Sequence, residues 1–256
     1  MIGYITGSGF YDMPGFVGET VENRFGQVRL LRGSAGGRPT VLLPRHGTGH
    51  RNLPHHINHH ANLLALKEAG VTAVVSCSVC GVVNPGWAPG GPFLADDLFF
   101  PDNRLGDGTV CSVFTEAGEP GRGHLLAASF FNDALNGRIR AALAAAGNGP
   151  KTGCYAHVPG PRFNAKAEIR ALRAAGVDFL SQTCGPEAVL ANELELPYAL
   201  AGFGVDYANG VSAEPTPVET LTENLERAKS CFESLIGALS VAGGSVPSFE
   251  NFVYRF

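Results

Sequence analysis

The stretch His59–Ser78, HHANLLALKEAGVTAVVSCS, decides how the rest of the chain is read. Small and apolar residues over His59–Ala69 predict a helix, and Gly70 supplies its stop, because glycine takes up the left-handed turn after a helix at no steric cost. Ala73–Ser78 is a short apolar run bounded by turn signals, which predicts a buried strand. A helix running straight into a buried strand is the repeating unit of an α/β domain.

The same alternation extends in both directions. Strands are predicted at Ile2–Thr6, Thr40–Leu43, Phe93–Phe100, Thr152–His157, Phe179–Ser181 and Tyr198–Gly204. Helices are predicted at Asn132–Ala146, Asn164–Ala175, Gly185–Glu195 and Val218–Val241. Asn164 is expected to cap its helix, with Glu168 in the first turn. No internal repeat or low-complexity linker divides the chain, so residues 1–256 read as a single α/β domain with a largely parallel sheet. Ligands in such sheets gather at the carboxyl ends of strands.

Composition narrows the function. Charged residues are only 16% of the chain against 45% hydrophobic, which excludes a disordered polyelectrolyte. The formal charge of −4, with no long Lys/Arg run, argues against nucleic-acid or anionic-membrane binding, so an anionic substrate must be held by a local site. No apolar run reaches the ~18 residues of a membrane span, and the amino terminus lacks a signal-peptide pattern, so a soluble cytoplasmic protein is expected. Cys77-Ser-Val-Cys80 has the spacing of a redox or zinc pair, but its apolar flanks read as a buried strand in which cysteine is a small hydrophobe.

Five constellations can carry chemistry. Thr6-Gly-Ser-Gly9 follows the first strand and offers backbone N–H groups and the Ser8 hydroxyl to an anion; a plain tight turn reads equally well. Leu43-Pro-Arg-His-Gly-Thr-Gly-His50 sets the Arg45 fork and the His46 imidazole on a glycine-bearing loop suited to an oxyanion, or to a surface salt bridge. His55/His59 and His56/His60 have the i,i+4 spacing of metal ligands, although Pro54 allows the pairs to begin in a loop. Asp206 follows an apolar strand, where burial raises a carboxyl pKa and equips it to donate a proton; a cap or salt bridge is the alternative. Ser181-Gln-Thr-Cys-Gly-Pro-Glu187 ends a strand with the Thr183 hydroxyl and starts a helix, in whose first turn Glu187 suits the helix dipole.

In order and content these segments resemble the trimeric purine nucleoside phosphorylase family, most closely its 5′-methylthioadenosine phosphorylase branch. The resemblance rests on the early Gly-Ser-Gly, Arg45-His-Gly-x-x-His50, Pro54, Asn58, Ala61-Asn62, Ala65–Gly70, Cys80-Gly81, Gly160-Pro-Arg-Phe163, Pro186-Glu187 and Asp206-Tyr207. It implies a single α/β domain with a twisted mixed sheet flanked by helices, and a homotrimer. It implies phosphate-dependent cleavage of a purine nucleoside, with inorganic phosphate as co-substrate and no metal or organic cofactor. It assigns Ser8, Arg45, His46, Ser78 and Thr183 to phosphate, with Val79, Phe163, Gln182, Asp206 and Ala208 around the nucleoside. Asp206 and His46 are then the catalytic side chains, Asp206 facing purine N7. Three features depart from the branch: Gln182 stands where methionine is usual, Asp206-Tyr-Ala208 lacks the second carboxylate of an Asp-x-Asp, and Glu214-Pro-Thr-Pro217, near the region expected to meet the 5′ substituent, is unusual. A catalytically weakened nucleoside-binding homologue and a histidine-based metalloenzyme are the alternative readings.

Overall fold

The strand Ala73–Val82 organises the molecule, because three other strands hydrogen-bond to it. A computed structural model describes residues 1–7, 13–241 and 245–256. In chain order its strands are β1 (Ile2–Thr6), β2 (Val17–Asn23), β3 (Gly26–Ala35), β4 (Arg38–Pro44), β5 (Ala73–Val82), β6 (Pro92–Phe99), β7 (Gly123–Leu126), β8 (Lys151–His157), β9 (Phe179–Ser181), β10 (Tyr198–Tyr207) and β11 (Phe252–Arg255). Its helices are α1 (His59–Glu68), α2 (Asp133–Ala145), α3 (Lys166–Ala174), α4 (Cys184–Glu193) and α5 (Val218–Val241).

Nine strands form one sheet in the order β10-β6-β8-β9-β5-β1-β4-β3-β2, and β10 also pairs with β5. That extra pairing closes β5, β10, β6, β8 and β9 into a ring. Strand β10 lies parallel to β5 from Val74 to Val82 along one edge. The other edge is shared: β1 takes Ala73–Ser76 in parallel and β9 takes Gly81–Val82 in antiparallel. Between them Cys77–Cys80 has no strand partner on that edge among the described residues.

Pleating sends alternate residues to opposite faces. Tyr4, Leu42 and Val75 join one core cluster with α2 and α5, while Ile5, Leu43 and Val74 join another with α1 and α4. A third cluster sets Ile169 and Leu172 of α3 against Ala156, Val158 and Val177. Among the described residues no helix is long and apolar enough to cross a membrane.

Several expectations need correction. The sheet is mixed rather than largely parallel: β2, β3 and β4 are antiparallel neighbours, β9 runs against β5, and β6 runs against β10. The hairpin β2–β3 has no counterpart in the sequence reading, because β2 is exposed along most of its length and shows no apolar alternation. The ribbon β7–β11 was likewise unforeseen. Helix α3 is capped at Ala165, not Asn164: the Glu168 carboxylate accepts the Ala165 N–H at 2.6 Å.

Phe179 is fully buried, with Phe93, Tyr155 and Trp87 around its ring. Phe179→Ala is expected to lower unfolding free energy by about 3–5 kcal/mol in urea titration.

Candidate active site

Arg45 is the largest side chain buried to under 2% exposure. It follows β4, and its backbone N–H donates to Thr6 O, which prolongs the β1–β4 pairing by one residue. A guanidinium cannot shed its charge, so burial demands a partner. The partner is Glu187 in the first turn of α4: Arg45 Nε donates to Oε1 at 2.7 Å and Nη2 to Oε2 at 3.0 Å. Ser76 and Tyr198 hydroxyls also donate to that carboxylate. Burial pushes the Glu187 carboxyl up, but Arg45, with His59 and the Ser76 hydroxyl, outweighs it and the net shift is downward.

The remaining guanidinium edge serves the open stretch of β5. Nη1 donates to the Cys77 carbonyl at 2.8 Å, satisfying a backbone group that no strand reaches. Nη2 bonds Ser76 Oγ and lies 3.6 Å from Cys184 Sγ. A Cβ on Gly7 would fall 2.8 Å from Nη1, so glycine is what lets the end of β1 lie against the guanidinium.

Ser78 and Thr183 meet the same neighbourhood from two sides. Ser78 Oγ is 3.3 Å from Ser181 Oγ, which Tyr155 OH approaches at 2.8 Å. Thr183 Oγ1 lies 3.4 Å from Cys184 Sγ, and its hydroxyl makes no cap bond to the helix it precedes. Cys184 Sγ joins them at the amino end of α4, where the helix dipole favours an anion: it contacts Arg45 Nη2, Thr183 Oγ1 and, at 3.9 Å, the Ser181 hydroxyl that leads on to Ser78. His46 adjoins Arg45, with Nδ1 bonded to the Asn52 carbonyl at 2.9 Å and its ring stacked on His50 at 4.3 Å. Burial, then Arg45, lower its pKa to about 4. Ser8 lies outside the described residues.

The nucleoside-assigned residues lie further along. Val79 pairs with Phe203, and Asp206 with Gly81 just past a bulge in β10. Three strand rises separate Ser78 from Gly81, roughly 10 Å. Asp206 is half-buried, and desolvation raises its pKa to about 6. Ala208 contributes only backbone polarity, and its N–H is committed to Val82 O. Gln182 Nε2 donates to Arg162 O at 2.9 Å, tying the end of β9 to the loop that carries Phe163. Phe163 itself is 77% exposed.

The histidines do not pair as spaced. His55 and His56 belong to a 3-10 turn at Pro54–His56, whereas His59 and His60 start α1. Among the described residues no group of three or more His, Cys, Asp or Glu side chains is placed to hold a metal. All six cysteines are free. Sequence reasoning placed Glu187 in its helix turn but missed that it anchors Arg45, along with the supporting Ser76 and Tyr198. The available signal was electrostatic: an arginine between apolar strands requires a buried acid somewhere else in the chain.

The chain belongs to the phosphorylase superfamily, which matches it over residues 1–240. More particularly, it is 34% identical to the 6-oxopurine nucleoside phosphorylase of Pyrococcus furiosus, over 92% of this chain and 90% of that protein. It is 32% identical to the S-methyl-5′-thioadenosine phosphorylase of Bradyrhizobium diazoefficiens, over 90% and 80% respectively. Among solved structures, a mutant adenosine/methylthioadenosine phosphorylase from Schistosoma mansoni in complex with tubercidin superimposes with a TM-score of 0.82 at 26% identity, covering 94% of this chain and 91% of that one. A methylthioadenosine phosphorylase from an Antarctic soil metagenomic library gives the same TM-score at 25% identity, over 94% and 85%.

Two outcomes are expected. Glu187→Ala strands a buried guanidinium and should cost about 3–5 kcal/mol by denaturant titration. Burial also lowers the pKa values of His59 to about 4 and His157 to about 3, as it does for His46. Between those values and the ordinary ~6.5, the unfolded chain binds protons that the folded chain refuses. The histidine contribution to stability is therefore whole above pH ~6.5 and falls on acidification toward pH 4, by about 1.4 kcal/mol per pH unit per histidine, while the raised Asp206 offsets one such share below about pH 6. Urea titrations at stepped pH measure that slope.

Proposed function

We propose that this enzyme cleaves the N-glycosidic bond of a purine nucleoside with inorganic phosphate, releasing free base and a ribose 1-phosphate, through the residues gathered at the open edge of β5. The observation that carries the assignment of residues is the meeting of Arg45, Thr183 and, through Ser181, Ser78 at Cys184 Sγ, with a carboxyl of raised pKa at Asp206 on the adjoining strand. Arg45, His46, Ser78, Thr183 and Ser8 hold phosphate. Val79, Gln182 and Phe163 border the sugar and base, and Ala208 leaves space beside Asp206. No metal or organic cofactor takes part.

The chemistry follows from charge. As the base departs, the sugar becomes an oxocarbenium-like cation, and phosphate on the opposite face stabilises it and then bonds to the anomeric carbon. The electron pair of the broken C–N bond stays with the base. Asp206, protonated, donates to N7 and offsets that charge. Holding both reactants in register supplies much of the remaining acceleration.

The exposure of Phe163, an aromatic assigned to the base, supports a homotrimer in which a neighbouring copy completes this side of the site. A cytoplasmic location accords with phosphate as co-substrate.

Purified protein incubated with inosine, adenosine and methylthioadenosine should release base only when phosphate is present. Asp206→Asn should lower kcat by about 10²–10⁴-fold. Since Asp206 acts as its acid form, kcat/KM for the nucleoside at saturating phosphate should decline as pH rises through about 6, and the variant should lose that limb.

A further inference from the structure

His46 differs in character from the other cradle side chains. Arg45 only donates, and the hydroxyls of Ser78 and Thr183 can donate or accept. The role of His46 is fixed by its own loop. A carbonyl can only accept, so the 2.9 Å contact with Asn52 O places the ring hydrogen on Nδ1. In the neutral ring Nε2 then carries a lone pair, and it is the atom left for a ligand. Stacking on His50 at an interplanar angle of 9° holds the ring in this orientation.

The charged and titratable groups around His46 are Arg45 on its own loop, His50 stacked on it, Glu187 on α4 and His59 on α1. Arg45 and Glu187 form a bidentate buried pair, so the cation beside His46 is already compensated. The cradle therefore binds its anion largely through directed hydrogen bonds. A lone pair aimed at an oxyanion repels it, unless the oxyanion brings a hydrogen of its own. Hydrogen phosphate keeps one P–OH through the neutral and mildly alkaline range, whereas sulfate keeps none.

We propose that Nε2 of His46 accepts the P–OH hydrogen of the bound oxyanion, making His46 the residue that selects hydrogen phosphate, or its arsenate analogue, over sulfate. This rests on the reading of the open β5 edge as the phosphate site. Phosphate enters with the hydrogen already in place and no proton changes owner. Sulfate enters only when a proton from solvent first adds to Nε2, converting the ring to an imidazolium that donates to sulfate oxygen.

The two anions therefore differ in pH dependence. Above the titration of the free ring, sulfate affinity should fall about tenfold per pH unit, because each binding event takes up one proton. The KM for phosphate, expressed per hydrogen phosphate, should stay level. The experiment measures sulfate inhibition and phosphate KM between pH 6 and 8, at constant ionic strength set with chloride, and tests arsenate as replacement for phosphate. The expected result is a sulfate Ki climbing steeply over a flat phosphate KM, with arsenate supporting base release. In His46→Asn, whose amide can donate, the ratio of sulfate Ki to phosphate KM should fall at least tenfold and lose its pH dependence. A wild-type sulfate Ki that runs parallel to the phosphate KM across the range overturns the proposal, with the phosphorolytic reading intact. Base release that needs no oxyanion is a separate result, seen in the same assay, and removes both.

Discussion

The Arg45–Glu187 pair is the interaction on which the rest of the site depends. Strand β5 has more edge than its neighbours cover, since β1 stops at Ser76 and β9 begins at Gly81. An uncovered sheet edge inside a protein leaves backbone groups without partners. Arg45 answers the Cys77 carbonyl, and Glu187 answers Arg45. The pair stitches β4 to α4 across the gap. An ion pair this deeply buried is weak evidence for net stability, because desolvation offsets much of the Coulomb attraction. Its clearer effect is orientation: a guanidinium gripped on two sides can present its remaining edge in only one way.

Burial around that pair governs the protonation of the histidines that sit nearby. Buried imidazoles next to a compensated cation stay neutral, and His46, His59 and His157 are all pushed below their ordinary range. At the other end of the site the same burial acts with opposite consequence. Removing water raises Asp206, because there the neutral form is the protonated one. One physical cause thus keeps imidazole lone pairs available beside Arg45 and a carboxyl proton available at Asp206.

The sequence reading succeeded where local signals and burial coincide. Helix α5 was legible to the residue, and β1 and β9 likewise, because apolar runs end at clear breakers. Strands exposed to solvent carry no such signal, which is why β2 was invisible. Strand direction was also beyond local reasoning: β9 looks like any short buried strand, and only its tertiary partner makes it antiparallel. In the site, Arg45, His46 and Asp206 stood out because their residue types are unusual beside apolar strands. Glu187 did not, since an acid in a first helical turn has an ordinary explanation. The Gln182 amide donates to a backbone carbonyl twenty residues away on the Phe163 loop, a pairing that no local signal announces.

The closure of β5 by late strands has a consequence for biosynthesis. Arg45 and Glu187 are 142 residues apart, and both β9 and β10 follow the midpoint of the chain. At the usual pace of translation, roughly 7 to 28 s pass between the emergence of the two charges from the ribosome. Throughout that interval Arg45 is without Glu187, and from the emergence of β5 onward the edge beyond Ser76 waits for β9 and β10. Hydration of that guanidinium opposes premature burial, so the charge that later anchors the site also keeps an exposed strand from closing on the wrong partner.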